Sequence, residues 1–479
     1  MSSNQSNLSS SKYGYDMVVG TTQDSINATM KNYLSKYDGE EVIMCYVYDA
    51  DVPEGQSTTV ATDFDAYKEK LGFDPFDVPT PGDDEELDPR VQTLEDNFFL
   101  FAFKATMGLP SPPTGTPPND AQDYMDNLPD IVVLGTSNSS VTYNLYCKEF
   151  QILDLELGGY GDVSWSNISQ PTYPDNPWVF SFSVDLDLYN NDSAFNTLNT
   201  QTQNDVKNLC PDSMFSVQQL YLDLNTAGLE SSPDIPNLDP NSQTAYYLTK
   251  IFLNTYLQDI QEKETSESNP DGNYMLGYTI QSSDSTSSSS VVPTDLNFMV
   301  SPFLDDQGNP SDNFSLYTLN WLIMTNTHSM PAPVPFEWNW VDEADQNNFS
   351  GSMSINKNFF VNFLNQVFSE NLNTICMIPK CTVDAWTVSF DIEFSQEPNA
   401  QAYQLVSDDP SHVLTFYYHK TSSADDKAYL HTVQTSIECD YTLTSDVYFE
   451  GSTIRVVTTS DTYLSVSYTH LTLPTTPYV

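Results

Sequence analysis

Apolar side chains recur at helical spacing in two asparagine-rich stretches near opposite ends of the chain. Residues 354–373 place apolar side chains three or four positions apart, with Asn358 and Asn362 on the opposite side. Residues 22–35 repeat this pattern with a shorter apolar face. Both patterns predict amphipathic helices. The longer apolar face comprises Phe360, Phe363, Leu364, Val367, Phe368 and Leu372, and the shorter comprises Ile26, Met30, Tyr33 and Leu34.

A third helix is predicted for residues 240–263. Asp239 is placed to cap its first turn, and Pro240 suits the first helical position because that position needs no backbone N–H. The apolar face of this helix continues through Ala245, Leu248, Phe252, Tyr256 and Ile260.

Alternation of apolar and polar residues predicts strands between and beyond these helices. In residues 178–188 the apolar residues share one face and serine and aspartate the other, which is typical of a half-buried antiparallel strand. The other predicted strands, rich in β-branched and aromatic residues, are 41–48, 131–134, 141–147, 274–280, 386–394, 413–419, 428–441 and 452–464. The expected fold class is α+β, with antiparallel sheets and three helices.

The two asparagine-rich helices suggest an internal repeat. The segment Met30-Lys-Asn-Tyr-Leu34 aligns with Phe360-Val-Asn-Phe-Leu364, although shared composition alone also produces such a match. We therefore expect a first β-rich half over 13–235, opening on the 22–35 helix, and a second half over 236–465. Residues 1–12 are polar and are expected to form a disordered lead.

The last residues are interpreted separately from the fold. Residues 466–476, VSYTHLTLPTT, resemble the translated read-through of a sequencing adaptor. The alternative is an ordinary threonine-rich strand. We interpret 466–479 as non-native, exclude it from the predicted fold, and expect that the true C-terminus lies elsewhere.

Charge excludes one class of partner. The 479 residues include 66 acidic and 16 basic side chains, for a formal net charge of −50. We expect no nucleic-acid partner because the chain has too few cations to displace counterions from phosphate. There is no membrane-length apolar run and no apolar signal segment, so we predict a soluble protein that is either cytoplasmic or exported by a non-classical route.

The motifs of common catalytic and metal sites are absent from the sequence. There is no HExxH, P-loop or GxSxG motif and no paired CxxC, so we expect no enzyme activity, catalytic residue, metal or cofactor. His412 and His419 lie seven positions apart and would point to opposite faces of a regular strand. The six cysteines are expected as buried thiols, with a Cys376–Cys381 bridge as the alternative.

Three stretches resemble one family. Residues 13–34, YGYDMVVGTTQDSINATMKNYL, are followed by 247–261, YLTKIFLNTYLQDIQ, with 274–280, YMLGYTI, and by 335–364 around PFEWNWVDEADQNNF. Together they resemble the clostridial "P forty-seven" and OrfX-like toxin-cluster accessory proteins of the tubular lipid-binding (TULIP) superfamily. The resemblance implies highly curved antiparallel sheets wrapped around long amphipathic helices, in two halves. This chain departs from phosphoinositide-binding members because it has few basic residues.

Two functions follow as expectations. The first is non-enzymatic binding of a lipid or other hydrophobic small molecule in an interior cavity lined by Ile26, Met30, Leu34, Phe360, Leu364 and Val367. The second is a scaffolding or toxin-accessory role through contacts with a protein partner, in which case these residues simply fill a closed core. A continuous apolar tunnel would favour the first function. A packed interior with an exposed apolar patch would favour the second.

Overall fold

The computed structural model describes residues 6–35, 41–49, 58–82, 85–135, 139–158, 162–190, 215–236, 238–257, 275–282, 293–325, 328–364, 375–397, 403–406, 409, 411–429, 432–450 and 453–470. The chain forms two compact units. Unit 1 comprises Met1–Asn7 and Met17–Ser354, and unit 2 comprises Leu8–Asp16 and Ile355–Val479. The division falls after residue 354, whereas the sequence pattern suggested halves that meet at residue 235.

The fold is mixed α+β, and its strands pair in antiparallel fashion. The helices are α1 Gln23–Leu34, α2 Phe64–Leu71, α3 Pro89–Asp96, α4 Pro118–Asn127 and α5 Gln243–Tyr247. Helix α5 continues through a π-helical turn, Leu248–Phe252, and is helical to residue 257. A further helical segment spans 357–364 in unit 2.

The described residues of unit 1 form three sheets. Their orders are β12-β13-β1-β14, β11-β10-β9-β6-β5 and β3-β2-β4-β7-β8. The strands are β1 Met17–Thr22, β2 Glu41–Tyr48, β3 Thr59–Thr62, β4 Phe99–Met107, β5 Val132–Leu134, β6 Ser140–Leu145, β7 Cys147–Leu157, β8 Val163–Ser169, β9 Phe180–Asn190, β10 Phe215–Ser231, β11 Met275–Ser282, β12 Pro293–Ser301, β13 Thr318–Thr325 and β14 Gly351–Ile355.

Unit 2 contains a two-stranded sheet, β15-β16, and a sheet of order β17-β18-β19-β20. Its strands are β15 Met377–Asp384, β16 Ser389–Gln396, β17 Tyr403–Val406, β18 His412–Ala428, β19 Val433–Glu450 and β20 Thr453–His470. The 357–364 helix packs on one end of the β18–β19 pair, where Phe360 and Leu364 share a buried cluster with Phe416. The β15–β16 hairpin packs on the rest of the same pair.

Helix α1 is fixed in unit 1 by two buried side-chain amides. The Asn27 amide accepts from Val132 N at 2.9 Å and donates to Val132 O at 2.7 Å, and the Gln23 amide accepts from Leu134 N at 2.6 Å. Both amides therefore satisfy the backbone of β5, the terminal strand of its sheet. Because Gln23 and Asn27 lie one turn apart, the neighbouring face with Ile26 is directed into the core.

The alternating pattern of residues 178–188 is confirmed in β9. Phe180, Phe182 and Val184 are buried, and the serines between them lie on the other face. The central strand β4 is different because both of its faces are buried. Phe101 and Phe103 join the main core of unit 1, whereas Phe99 joins the cluster covered by α2 and α3.

The ends of two predicted helices were wrong. Residues 354 and 355 belong to strand β14, and the helix begins at Lys357 because the Asn356 side chain accepts from the N–H of Asn358 at 2.9 Å. In the third helix, Ser242 is the N-cap, accepting from Ala245 N at 3.1 Å, so the helix does not begin at Pro240. Residues 258–263 and 365–373 of the two predictions lie outside the described residues.

Both predicted non-structured ends also differ from the structure. Residues 6–12 are not a disordered lead, since Leu8 is buried and its carbonyl accepts from the Asn356 amide at 3.0 Å. Residues 466–470 continue β20 in register with β19, instead of lying outside the fold. Residues 471–479 lie outside the described part. Strand β16 begins at Ser389, not at Trp386, which lies in the preceding turn.

The described cysteines are buried free thiols, as expected. Cys376 and Cys381 are both unbridged, so the alternative of a small disulfide loop is not realised. Burial raises the pKa of the Cys45 thiol to about 12, and that of Cys376 to about 11. These thiols are therefore neutral and unreactive at physiological pH.

Among the described residues of unit 1, one carboxyl group is buried. Asp154 of β7 is 5% exposed and accepts a hydrogen bond from the Thr244 hydroxyl at 2.6 Å. Burial raises the pKa of Asp154 to about 6, aided by nearby Glu156 and opposed by the Thr244 bond. The folded chain therefore holds this proton more tightly than the unfolded chain does.

We predict that Asn27→Ala destabilises unit 1 by about 2–4 kcal/mol, because both the N–H and the C=O of Val132 lose their buried partner. The matched control is Asn32→Ala, at an exposed position of the same helix, which should change stability by less than about 0.5 kcal/mol. Urea unfolding followed by tryptophan fluorescence measures both variants. Equal stabilities would contradict the role given to Asn27.

We predict that Asp154→Asn stabilises the protein at pH 8 but not at pH 4. With a raised folded-state pKa, the contribution of Asp154 to stability falls as pH rises from about 4 to about 6, by about 3 kcal/mol for a two-unit shift. The asparagine removes this loss and still accepts from Thr244. The exposed control Asp123→Asn should follow the wild type at both pH values in the same urea titration.

A candidate interaction surface

Three of the predicted ligand-lining residues lie in the core of unit 1. Ile26, Met30 and Leu34 are 7%, 6% and 2% exposed and belong to one buried cluster. The apolar face of α1 is therefore buried as its spacing predicted. The side chain of Tyr33, on the same predicted face, lies outside the described residues.

The other predicted lining residues belong to unit 2. Phe360 and Leu364 are 8% and 6% exposed in a separate buried cluster, and Val367 lies outside the described residues. The two sets of residues are thus in different clusters. Neither of two described cavities, of about 390 and 420 Å³, is lined by Ile26, Met30, Leu34, Phe360 or Leu364. That these residues bind a ligand stays a prediction.

Aromatic rings fill the centre of the described core of unit 1. The Phe252 ring lies 5.1 Å from that of Phe103, 5.6 Å from that of Phe150 and 5.6 Å from that of Tyr256. The Phe150 ring is also 5.3 Å from that of Phe180. These separations are those of packed aromatic pairs, so the rings contact one another directly.

Unit 2 has apolar side chains on the core face of a sheet that the described residues leave exposed. In β20, Val456 lies opposite Val447 and Leu464 lies opposite Cys439. Val447 and Cys439 are fully buried, and directly opposite residues of an antiparallel pair point to the same face. Val456 and Leu464 therefore continue the core face of the sheet, yet they are 40% and 48% exposed.

Two further side chains extend this surface. Ile454 is 44% exposed on the same face of β20. Phe394 of β16 is 45% exposed, and its ring is 6.0 Å from that of Tyr441, which lies opposite Thr462 of β20. We call the set Phe394, Ile454, Val456 and Leu464 the β20 face.

Strand β20 is also a sheet edge with little protection. Among the described strands it pairs only with β19. Residues 453–465 contain no proline, and their two charged residues, Arg455 and Asp461, alternate away from the β20 face. Natural edge strands usually carry proline, a bulge or an inward charge that prevents pairing with other chains, and this one carries none of these on its core face.

A second exposed apolar cluster lies at the tip of the β15–β16 hairpin. The Trp386 ring is 4.8 Å from that of Tyr429, and the two residues are 64% and 53% exposed. Asp384 holds the turn by accepting from the N–H of Trp386 at 2.8 Å. Val388 has a positive φ of 51°, which is strained for a β-branched residue. We call Trp386, Val388 and Tyr429 the hairpin tip.

The two histidines of β18 share a face, in contrast to the prediction. The His412 ring lies 3.0 Å from Asp446 and the His419 ring 3.6 Å from Asp440, both on the outer face of the sheet. The reason is an irregularity between His412 and Leu414, which shifts the register by one residue. Within the described residues, no group of three or more metal-ligating side chains is close enough to hold a metal ion.

Solved structures that the chain resembles include that of a clostridial protein. The chain is similar to the solved structure of P47 from Clostridium botulinum A2, with 12% identity and a TM-score of 0.40, over 97% of this chain and 82% of that one. No family model matches the chain, and no curated protein does. A likeness at this level carries no argument about function. In the described part of the chain, no helix combines the length and apolarity needed to cross a membrane.

The sequence contained part of the signal for this surface. Residues 452–464 were predicted as a strand, but their apolar positions gave no sign that the core face would lack a cover. Trp386 was predicted inside a strand, where a tryptophan is ordinarily half-buried. In the structure Trp386 lies in the turn that follows Asp384, and it is 64% exposed.

Proposed function

We propose that this protein acts by binding another protein through the β20 face and the free edge of β20. The observation that carries the proposal is that the core face of the unit 2 sheet continues onto β20 with Val456 and Leu464 uncovered. Burying such a surface against a partner removes apolar area from water. This is the scaffolding or accessory function among the two expectations.

The packing of the rest of the chain supports this choice. The aromatic rings around Phe252 pack against one another at the centre of the described core of unit 1, whereas Val456 and Leu464 of unit 2 are exposed. Exposed apolar side chains on the core face of an unprotected sheet edge are typical of an interaction site.

The edge defines the kind of partner. An extended segment that adds to β20 would gain main-chain hydrogen bonds along the edge and place alternate side chains beside the β20 face. The partner strand should carry apolar side chains near Val456 and Leu464. Between them the face is polar and small, with Thr458, Ser460 and Thr462, so small side chains fit there.

Binding of a lipid is the second candidate. The hairpin tip favours it, because tryptophan and tyrosine are the side chains that prefer the interface of a bilayer. A TULIP-like wrapping of sheets around helices, with an apolar ligand against Ile26, Met30, Leu34, Phe360, Leu364 and Val367, belongs to this candidate and rests on the family resemblance. The few basic residues of the chain favour uncharged or zwitterionic lipid over anionic lipid.

We predict that the double variant Val456→Lys/Leu464→Lys loses its protein partner, because two inward lysines block strand addition and charge the apolar face. The matched control is Thr459→Lys/Tyr463→Lys, which adds the same charge to the opposite face of the same strand. Proteins captured from the source organism by the wild type and both variants are quantified. The captured protein is then purified, and its affinity for each variant is measured.

At least a tenfold loss of affinity in the first variant, with less than a twofold change in the control, is the expected result. Equal losses in the two variants would contradict recognition by the β20 face. Sedimentation equilibrium of the protein alone tests whether a second copy of this chain, and not a different protein, pairs with β20. A dimer that only the first variant abolishes would show that β20 pairs with a second copy, and would overturn the proposal of a different partner.

For the second candidate we predict that Trp386→Ser/Tyr429→Ser reduces flotation with phosphatidylcholine vesicles several-fold. The control is Phe349→Ser, which removes an exposed aromatic residue of unit 1. Wild-type protein that stays at the bottom of the gradient, or a control that loses flotation equally, would eliminate membrane binding by the hairpin tip.

A further inference from the structure

A cavity in unit 1 is lined by Asp154, the most deeply buried carboxyl group among the described residues. Its volume is about 390 Å³, within the range of small-molecule sites. Asp154 lines it from β7, Phe101 from β4, and Tyr48 from the end of β2. The start of α5, with Ser242 and Thr244, closes one side.

The buried carboxylate has unused hydrogen-bonding capacity. Asp154 is 5% exposed, and Oδ1 accepts from the Thr244 hydroxyl. Within the described residues, Oδ2 accepts no hydrogen bond, although the side chain lines the cavity. A carboxylate buried to this extent usually has its charge compensated by a cation or by several donors.

The acidic lining of the cavity favours a positively charged ligand. Glu156 and Asp162 also line the cavity, and none of the described lining residues is lysine, arginine or histidine. The second described cavity, of about 420 Å³, differs because Lys250 contributes a cation to its lining. An anionic ligand would therefore be repelled from the Asp154 cavity, and a cationic one attracted.

The apolar part of the lining selects an organic cation over a metal ion. The Tyr48 and Phe101 rings and Leu157 line the cavity together with the carboxylates. Aromatic rings attract ammonium groups and pack against hydrocarbon. The described residues contain no set of three side chains arranged to ligate a metal.

We propose that this cavity binds a small organic cation, with its ammonium group at Asp154 Oδ2 and its hydrocarbon part against Tyr48 and Phe101. Glu156 and Asp162 lie toward the exposed side and attract the ligand. The raised pKa of Asp154 agrees with the site being unpaired in the free protein, because a bound cation would stabilise the charged carboxylate.

The proposal is tested with phenethylammonium as the probe, by isothermal titration calorimetry on the full chain at pH 8. Phenethyl alcohol, which has the same shape without the charge, and 3-phenylpropionate, which has the opposite charge, are titrated in parallel. We expect phenethylammonium to bind at least tenfold more tightly than the alcohol, and the carboxylate not to bind. Equal affinity for the amine and the alcohol would overturn the assignment of charge recognition.

The matched variants are Asp154→Asn and Asp123→Asn. The first keeps the shape of the side chain and its acceptor for Thr244 but removes the charge, so phenethylammonium should bind at least tenfold more weakly. The second removes an exposed charge elsewhere in unit 1 and should change the affinity by less than twofold. Since Asp154→Asn is expected to be no less stable than the wild type, a lost affinity would not arise from unfolding. Unchanged affinity in Asp154→Asn, or no binding by the wild type, would overturn the proposal.

Discussion

The pairing of helix α1 with the end of a sheet is the constraint on which unit 1 depends. Strand β5 is the last strand of its sheet, and its backbone groups lie in the core, where an unpaired N–H or C=O is costly. The amides of Gln23 and Asn27 take the place of a neighbouring strand. Their positions one turn apart fix the rotation of α1, and so determine that Ile26 and Met30 enter the core.

The two units treat a sheet edge in opposite ways. At β5 the edge is closed by side chains of α1, whereas at β20 the edge and the core face beside it are open among the described residues. A closed edge adds to the stability of a single chain. At an open edge with an apolar face, a partner can pair with the strand and bury apolar side chains. For this reason we assign the proposed function to unit 2.

Acidity has different consequences at the surface and in the interior. The acidic side chains as a whole determine which partners can approach, because a chain with a net charge of −50 repels polyanions. Asp154 is buried instead, and its charge costs stability at neutral pH. A group that is costly for folding and lines a cavity is a candidate for binding, because a cationic ligand compensates the cost.

The local pattern of the chain predicted several elements well. The period-two alternation of residues 178–188 depends on neighbouring side chains alone, and strand β9 follows it. Strand β2 spans Glu41–Tyr48, as the β-forming composition of that stretch predicted. The apolar face of α1 was also predicted, since helical spacing determines which residues share a face. In contrast, local spacing gave no indication that Asn27 is buried against β5, because its partner Val132 lies 105 positions away.

The sequence by itself determined the strongly acidic character of the chain, its antiparallel β-rich class and the buried faces of its first helix, because these depend on composition and on local periodicity. Only the tertiary structure decided the start of the 357–364 helix, the shared face of His412 and His419, and the exposure of Val456 and Leu464. Each of these depends on contacts between distant segments: the Asn356 cap is held by the 8–15 segment, the histidine register by a bulge against β19, and the β20 face by what packs on the sheet. The local sequence of a segment does not determine which distant strand or side chain it will contact.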